Sequence, residues 1–170
     1  TAIRRQRQMC IRDSLNGGIN EWERLGMPTE SKSNSYKPAK FDASVNDRIF
    51  VDKEYVHSTM SDDSSILINA LPEDLHRGQN PRYGRPGRIP DSINIPFHTL
   101  VEADSFKFKS PDEIMSIFSD NALEKNKTIV NYCGGGISAT LDSFLLYQLG
   151  FNDLKIYKNS MIEWAKDCLL

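Results

Sequence analysis

Short apolar segments alternate with helical segments from residue 48 onward, and this alternation constrains the fold more than any other feature of the sequence. Uninterrupted apolar runs of this length are typical of strands buried on both faces of a sheet. Parallel strands need crossover connections, so we predict an α/β domain with a mostly parallel five-stranded sheet and helices on both faces. The predicted strands are residues 49–51, 66–70, 92–95, 128–132 and 154–157.

The predicted helices lie between these strands. The clearest one covers residues 138–149, because apolar residues recur in it at three- and four-residue steps and Gly150 follows it. Ligands of open parallel sheets bind at the carboxyl ends of the strands, so we expect the functional site there. The other predicted helices are residues 53–60, 111–119 and 160–166, with a further short helix before Gly26.

The composition narrows the function classes. The chain has 170 residues, of which 39% are hydrophobic and 26% charged, and it can bury one ordinary core. No run approaches the roughly 18 apolar residues of a membrane span, and no apolar stretch near the N-terminus has the form of a secretory signal. A net charge of -2 gives no general attraction for nucleic acid. We therefore predict a cytoplasmic protein with no nucleic-acid and no membrane partner.

Three cysteines, Cys10, Cys133 and Cys168, are too few and too scattered for a disulfide framework. They also lack the paired spacing of a zinc site, so we expect free thiols and no metal. Cys10 and Cys168 lie near the termini and are interpreted as incidental.

Cys133 follows the fourth apolar segment and precedes three glycines, in the stretch Asn131-Tyr-Cys-Gly-Gly-Gly-Ile-Ser-Ala139. Successive glycines allow the amide N–H groups to point into one concavity, and the helix that begins near Ile137 adds its positive end. That field favours the thiolate and would hold an anionic adduct on the sulfur. The loop thus predicts a nucleophile for substrates or leaving groups that carry negative charge. The alternative is that Cys133 is a small buried hydrophobic residue at the end of a strand.

Two phosphate-binding interpretations fail on single residues. A nucleotide-binding glycine loop needs a lysine before its Ser or Thr, and Ile137 stands before Ser138. A cysteine phosphatase needs an arginine six residues after its nucleophile, and that residue is Ala139.

Three motifs in the same order resemble the rhodanese superfamily, the thiosulfate and 3-mercaptopyruvate sulfurtransferases. The stretch from Cys133 to Ala139 is similar to the active-site loop of that family. Gly87-Arg-Ile-Pro-Asp-Ser-Ile-Asn-Ile-Pro96 and Tyr157-Lys-Asn-Ser-Met-Ile-Glu-Trp164 are similar to two further family motifs. The resemblance covers about residues 46–168 and implies a rhodanese-like domain.

The resemblance implies a two-step sulfur transfer without a metal or organic cofactor. Cys133 would take a sulfane sulfur from thiosulfate or 3-mercaptopyruvate as a persulfide and pass it to cyanide or a thiol, with a thioredoxin-like reductant as a candidate partner. Arg77 and Arg82 match arginines that hold the anionic donor, since a guanidinium grips a carboxylate or sulfonate with two hydrogen bonds. The remaining substrate-binding residues are those of the loop, Gly134, Gly135, Gly136, Ile137, Ser138 and Ala139.

The sequence also departs from the family pattern. Asn69 stands where many relatives have Asp, and Gly135 stands where mercaptopyruvate enzymes often have Ser. The loop contains no Arg or Lys, which weakens the case for thiosulfate as donor. The donor is therefore left open, and a non-catalytic module for protein binding or persulfide relay is the competing hypothesis. No motif brings His57, His76 or His98 near Cys133, so we assign no general base.

The N-terminal region indicates that the chain contains parts of two domains. Residues 15–22 resemble the closing Glu-Trp motif around Trp164, so we expect residues 15–30 to be the tail of a preceding rhodanese-like domain. Because the rest of that domain is not in the sequence, we hypothesise a truncated or wrongly joined reading frame. The other expected segments are a disordered or non-native arm at 1–14, a linker at 31–47 and the catalytic domain at 48–170.

Overall fold

The computed structural model describes residues 14–40, 42 and 48–166. Most of the predicted N-terminal arm, and both Cys10 and Cys168, lie outside these residues. The described residues belong to two compact units: the first takes its residues from Thr1–Asp42 and Val101–Phe108, and the second from Ala43–Leu100 and Lys109–Leu170. No helix in the described ranges is long and apolar enough to cross a membrane.

The second unit contains a five-stranded sheet in the order β1-β5-β4-β2-β3, and every pair of neighbouring strands is parallel. This confirms the predicted α/β class and places β4 at the centre. The outer strands β1 and β3 are shorter than predicted. In each of them, only two residues pair with the neighbouring strand. The strands are β1 Phe50–Val51, β2 Ser65–Asn69, β3 Ile93–Asn94, β4 Thr128–Tyr132 and β5 Leu154–Tyr157.

Helices fill the crossover connections, as predicted. Asp52 caps the first of them by accepting a hydrogen bond from the Tyr55 N–H, and Ser110 forms a capping box with Glu113 at the start of another. Two elements were not predicted, because each is a single turn too short to show a helical period: the helix Glu73–His76 and the 3₁₀ turn Phe97–Leu100. The helices are α1 Gly18–Arg24, α2 Lys53–Thr59, α3 Glu73–His76, α4 Pro111–Asp120, α5 Ser138–Gln148 and α6 Ser160–Trp164.

Helix α5 buries a different face from the one that its leucine spacing suggests. Of the four apolar residues at helical spacing, Leu145 is buried and Phe144 is 43% exposed. Asp142 and Ser143 are buried instead, and their side-chain oxygens have no hydrogen-bond partner in the described structure. Gly150 follows the helix with a φ of 87°, a left-handed conformation that suits glycine.

The core of the second unit surrounds the central strand. Val130 and Tyr132 of β4 belong to a buried apolar cluster with Leu67, Ile156 and Trp164, among others. Because side chains alternate along a strand, Ile129 and Asn131 point to the other face. Asn131 is fully buried and its amide has no hydrogen-bond partner among the described residues.

The first unit contains α1 and the segment Val101–Phe108. Glu21 of α1 is buried and forms ion pairs with Arg24 at 2.6 Å and Lys107 at 2.9 Å. These hydrogen bonds lower the pKa of Glu21 to about 2. The Asn16 side chain accepts a hydrogen bond from the Phe108 N–H at 2.8 Å, so the two segments of this unit are joined by polar contacts.

Candidate active site

Cys133 is the first residue after the central strand, at its carboxyl end. Its side chain is 2% exposed. The backbone N–H of Cys133 donates to the Ser160 hydroxyl at 3.1 Å, and that hydroxyl donates to the Tyr157 carbonyl at 2.7 Å. The Met161 N–H in turn donates to the Cys133 carbonyl at 3.1 Å. The turn between β5 and α6 therefore fixes the backbone on both sides of the thiol.

Two of the three loop glycines are required by close neighbours. A Cβ on Gly134 would collide with the hydroxyl of Tyr83, and a Cβ on Gly136 would collide with the Lys158 carbonyl. Gly136 also has a φ of 85°, which disfavours any residue with a Cβ. The sequence indicates only one role for these glycines, the backbone freedom that lets the amide N–H groups point into one concavity. The structure adds a second reason, since neighbouring segments contact the loop backbone directly.

Helix α5 begins directly after the glycines, as predicted. Ala139 is buried, whereas Ile137 is 82% exposed. Ile137 occupies the N-cap position and its side chain makes no capping hydrogen bond. The first-turn N–H groups therefore receive no side-chain cap from this residue, an arrangement that favours negative charge before the helix.

The two predicted arginines lie on the segment between β2 and β3 and have different surroundings. Arg82 places its guanidinium 5.9 Å from the centre of the Tyr83 ring, and Tyr83 contacts the loop at Gly134. Arg77 follows α3 and forms an ion pair with Glu73 at 2.5 Å. The contacts thus connect Arg82 to the Cys133 loop through one residue, while Arg77 pairs with the first residue of the preceding helix. Their donor-binding roles stay predictions.

Asn69 organises the start of this segment. Its side-chain oxygen accepts from the Leu71 N–H at 3.0 Å, and its amide nitrogen lies 3.1 Å from Nδ1 of His76. The amide nitrogen is a donor, so Nδ1 of His76 accepts and the ring is neutral. Burial, together with the nearby charge of Arg88, lowers the pKa of His76 to about 4. His76 is therefore a partner of Asn69, a contact that the sequence did not indicate.

Tyr132 attaches the same segment to the central strand. Its hydroxyl accepts from the Ile89 N–H at 3.1 Å and shares a hydrogen bond with Ser92 at 2.7 Å. Burial raises the pKa of Tyr132, so the phenol stays protonated and keeps both contacts.

Tyr83 and Ser160 contact the Cys133 loop, although neither contact was predicted from the sequence. Tyr83 belongs to none of the motifs, so no local signal marked it. Ser160 lies within the closing motif, and its position after Tyr157 was available as a signal. His57 stacks on Trp164 with ring centres 4.6 Å apart, and His98 contacts Phe97. The described residues contain no group of three or more His, Cys, Asp or Glu side chains that could hold a metal ion.

Comparison with known proteins identifies related domains. The family model described as "Rhodanese-like domain" matches residues 53–167. The chain is 29% identical over 153 residues to human 3-mercaptopyruvate sulfurtransferase, covering 88% of this chain and 51% of the relative. It is 28% identical over 156 residues to thiosulfate sulfurtransferase of Rattus norvegicus, covering 89% and 52%. The chain thus spans about half the length of these curated relatives.

Solved structures share the fold. SseA of Escherichia coli, a 3-mercaptopyruvate sulfotransferase, superposes with a TM-score of 0.75 at 25% identity, over 86% of this chain and 55% of that one. The anaerobic ergothioneine biosynthesis enzyme of Chlorobium limicola superposes with a TM-score of 0.82 at 20% identity, over 90% and 39%.

Proposed function

Because the chain belongs to the family of rhodanese-like domains, we propose that it is a sulfurtransferase whose nucleophile is Cys133. One observation carries this proposal: a cysteine at the end of the central strand is followed by a glycine loop and the start of α5. Backbone N–H groups and the positive end of a helix both stabilise a thiolate and an anionic sulfur adduct.

The proposed reaction has two half-reactions. The Cys133 thiolate attacks the outer sulfur of the donor, so that a new S–S bond forms, the donor bond to that sulfur breaks and the remainder leaves with the electron pair. The Cys133 persulfide then gives its outer sulfur to cyanide or a thiol, and the thiolate is restored. A covalent intermediate of this kind predicts ping-pong kinetics. The proposal includes no metal or organic cofactor.

The proposed donors are thiosulfate and 3-mercaptopyruvate, both small and anionic. Arg82 is the better-supported donor ligand, because its neighbour Tyr83 contacts Gly134 of the loop. Arg77 is a second proposed ligand, although its ion pair with Glu73 would have to be shared with the donor.

A second candidate function is persulfide relay to another protein, including a thioredoxin-like reductant. The observation that favours it is the 82% exposure of Ile137, an apolar side chain four residues after the nucleophile. In this second function, Ile137 is the contact point for the protein acceptor.

We further propose that residues 15–30 are the closing part of a preceding rhodanese-like domain. The support is the repeated pattern in α1 and α6, each a short helix that contains Glu-Trp, at Trp22 and Trp164.

Mass spectrometry tests the enzyme proposal directly. The protein is incubated separately with thiosulfate and with 3-mercaptopyruvate, and the mass of the Cys133 peptide is compared with that from Cys133→Ser. One added sulfur that cyanide removes, present only in the wild type, is the expected result. Transfer from either donor to cyanide supports the enzyme, whereas an adduct that only a protein thiol discharges supports the relay. No adduct with either donor contradicts the proposal.

A further inference from the structure

A cavity of about 460 Å³ lies beside the Cys133 loop and has no role in the site described above. Its lining residues are Gly135, Lys158, Asn159, Ile162, Glu163 and Lys166. Gly135 is the second residue after the nucleophile, so the cavity reaches the loop itself. Its volume suits a small molecule. The donor-side residues Arg77, Arg82 and Tyr83 do not line it.

The wall of this cavity is attached to the loop by backbone contacts. The Ile162 N–H donates to the Gly134 carbonyl at 2.8 Å, one residue beyond the bond from Met161 to Cys133. A Cβ on Gly136 would collide with the Lys158 carbonyl, and the end of the Ile162 side chain would be 3.0 Å from a Cβ on Gly135. The backbone of Lys158 is therefore packed against the loop.

The charge of the lining favours an anion. Glu163 uses both of its carboxylate oxygens within the turn, because one accepts from the Tyr157 hydroxyl at 2.6 Å and the other from the Asn159 amide at 2.9 Å. Lys158 and Lys166 are the two cationic residues of the lining, and Glu163 is its one acidic residue. The loop itself contains no cation, and Lys158 is the cationic lining residue whose backbone contacts the loop, at Gly136.

We propose that this cavity is the acceptor subsite, that it takes a small thiol bearing a carboxylate, and that Lys158 pairs with that carboxylate. The inference rests on the sulfurtransferase function proposed above. The acceptor thiolate attacks the outer sulfur of the protonated persulfide, an S–S bond to the acceptor forms, the Cys133 S–S bond breaks, and Cys133 leaves as thiolate. The proton stays on the transferred sulfur, so no oxidant or reductant is needed.

Geometry assigns the cavity to the acceptor instead of the donor. The donor must reach the Cys133 sulfur, which is 2% exposed and does not line the cavity. The acceptor needs to reach only the outer sulfur of the persulfide, which extends about 2 Å beyond the cysteine sulfur. The cavity beside Gly135 is therefore assigned to the second half-reaction, in which the acceptor meets the outer sulfur.

Matched acceptors test the subsite by kinetics. Mercaptoacetate and 2-mercaptoethanol are thiols of similar size, and only the first carries a carboxylate. For Lys158→Gln, we expect the ratio of kcat/KM for mercaptoacetate to kcat/KM for 2-mercaptoethanol to fall five- to tenfold, since one partly screened ion pair is lost. Lys37→Gln removes the same charge from an exposed position and should leave the ratio unchanged. An unchanged ratio in Lys158→Gln overturns the proposal.

Equilibrium binding separates this proposal from the proposed function. (Methylthio)acetate, the S-methyl ether of mercaptoacetate, has the carboxylate but no thiol, so it can bind without accepting sulfur. Its titration into the ¹⁵N-labelled protein should shift the amide signals of Gly135 and Asn159, with a Kd about fivefold weaker in Lys158→Gln. These shifts support the subsite even if the wild type transfers no sulfur, a result that would defeat only the proposed function. Normal sulfur transfer without any such shifts overturns the subsite alone.

Discussion

The backbone N–H of Cys133 is bound by the hydroxyl of Ser160 at 3.1 Å, although the two residues lie 27 positions apart in the chain. Ser160 has a φ of 49°, in the left-handed region, so the fold holds this residue in an uncommon conformation to place its hydroxyl. The position of Cys133 thus depends on a turn outside its own loop.

Replacing Ser160 with alanine should weaken both the fold and the reaction. Ser160→Ala leaves the buried Cys133 N–H without a partner, and we expect a loss of about 1–3 kcal/mol in the free energy of unfolding. Urea unfolding measures this loss, and the rate of persulfide formation should fall with it. Ser160→Gly suits the left-handed backbone but also lacks the hydroxyl, so it separates the two effects. If Ser160→Gly matches the wild type, the hydroxyl contact is not needed.

Adding one methyl group at Gly134 should disrupt the contact with Tyr83. Gly134→Ala forces its Cβ against the Tyr83 hydroxyl, and overpacking of this kind costs about 1–3 kcal/mol. The double variant Gly134→Ala, Tyr83→Ala removes the obstacle and should recover part of the lost stability. Thermal unfolding of the single and double variants gives the coupling. Strictly additive effects would mean that the two residues do not contact each other in solution.

The two arginines should differ in their effect on donor binding. We expect Arg82→Met to raise KM for the anionic donor about five- to tenfold, because Arg82 lies next to the residue that contacts the loop. Arg77→Met should have a smaller effect, since Glu73 already pairs with that guanidinium. Steady-state kinetics with thiosulfate and with 3-mercaptopyruvate compares them. A larger effect from Arg77 than from Arg82 would reverse this assignment.

Asp142 should make the protein less stable as the pH rises. Burial raises the pKa of Asp142 well above its ordinary value, so the folded state favours the protonated form. The contribution of Asp142 to the free energy of unfolding is complete below about pH 4, where the carboxyl is protonated in the unfolded state as well. It is lost as the pH rises toward the pKa of Asp142 in the folded state. The stability of Asp142→Asn should therefore exceed that of the wild type increasingly, by up to about 1.4 kcal/mol per pH unit.

Urea unfolding of both proteins from pH 4 to 8 measures the Asp142 effect. Asp63→Asn, at an exposed turn, is the control for removing a carboxylate. A stability difference that stays constant over this range would contradict the buried, protonated state of Asp142.

His76 should have the opposite pH dependence. Its pKa is lowered to about 4 by burial, so the folded state disfavours the charged ring. The contribution of His76 to the free energy of unfolding is present above the ordinary histidine pKa of about 6.5, and it is lost as the pH falls toward 4. We expect a loss of about 1–2 kcal/mol across this interval, allowing for the partial exposure of the ring. Unfolding of His76→Gln over the same interval should lack this loss, and an equal loss in the variant would exclude His76 as its source.

Much of the second unit could be predicted from the sequence, because each strand is a local apolar run and each long helix has its own period and caps. The single-turn elements could not, since four residues are too few to show a period. The position of Cys133 at a strand end was also predictable. Its contacts were not, because Tyr83 is 51 positions from Gly134 and comes near it only through the sheet order. The burial of Asp142 was equally hidden, since the leucine spacing around it indicates a different helix face.

The 2% exposure of Cys133 has a consequence for the chemical lifetime of the sulfur that the proposed reaction would attach to it. A sulfur atom attached in so enclosed a place is shielded from bulky oxidants and from random encounters with large thiols. Release of this sulfur then depends on molecules small enough to reach the loop or on proteins that fit against its rim. Burial therefore restricts which molecules can remove the proposed persulfide sulfur, and it protects that sulfur between the two half-reactions.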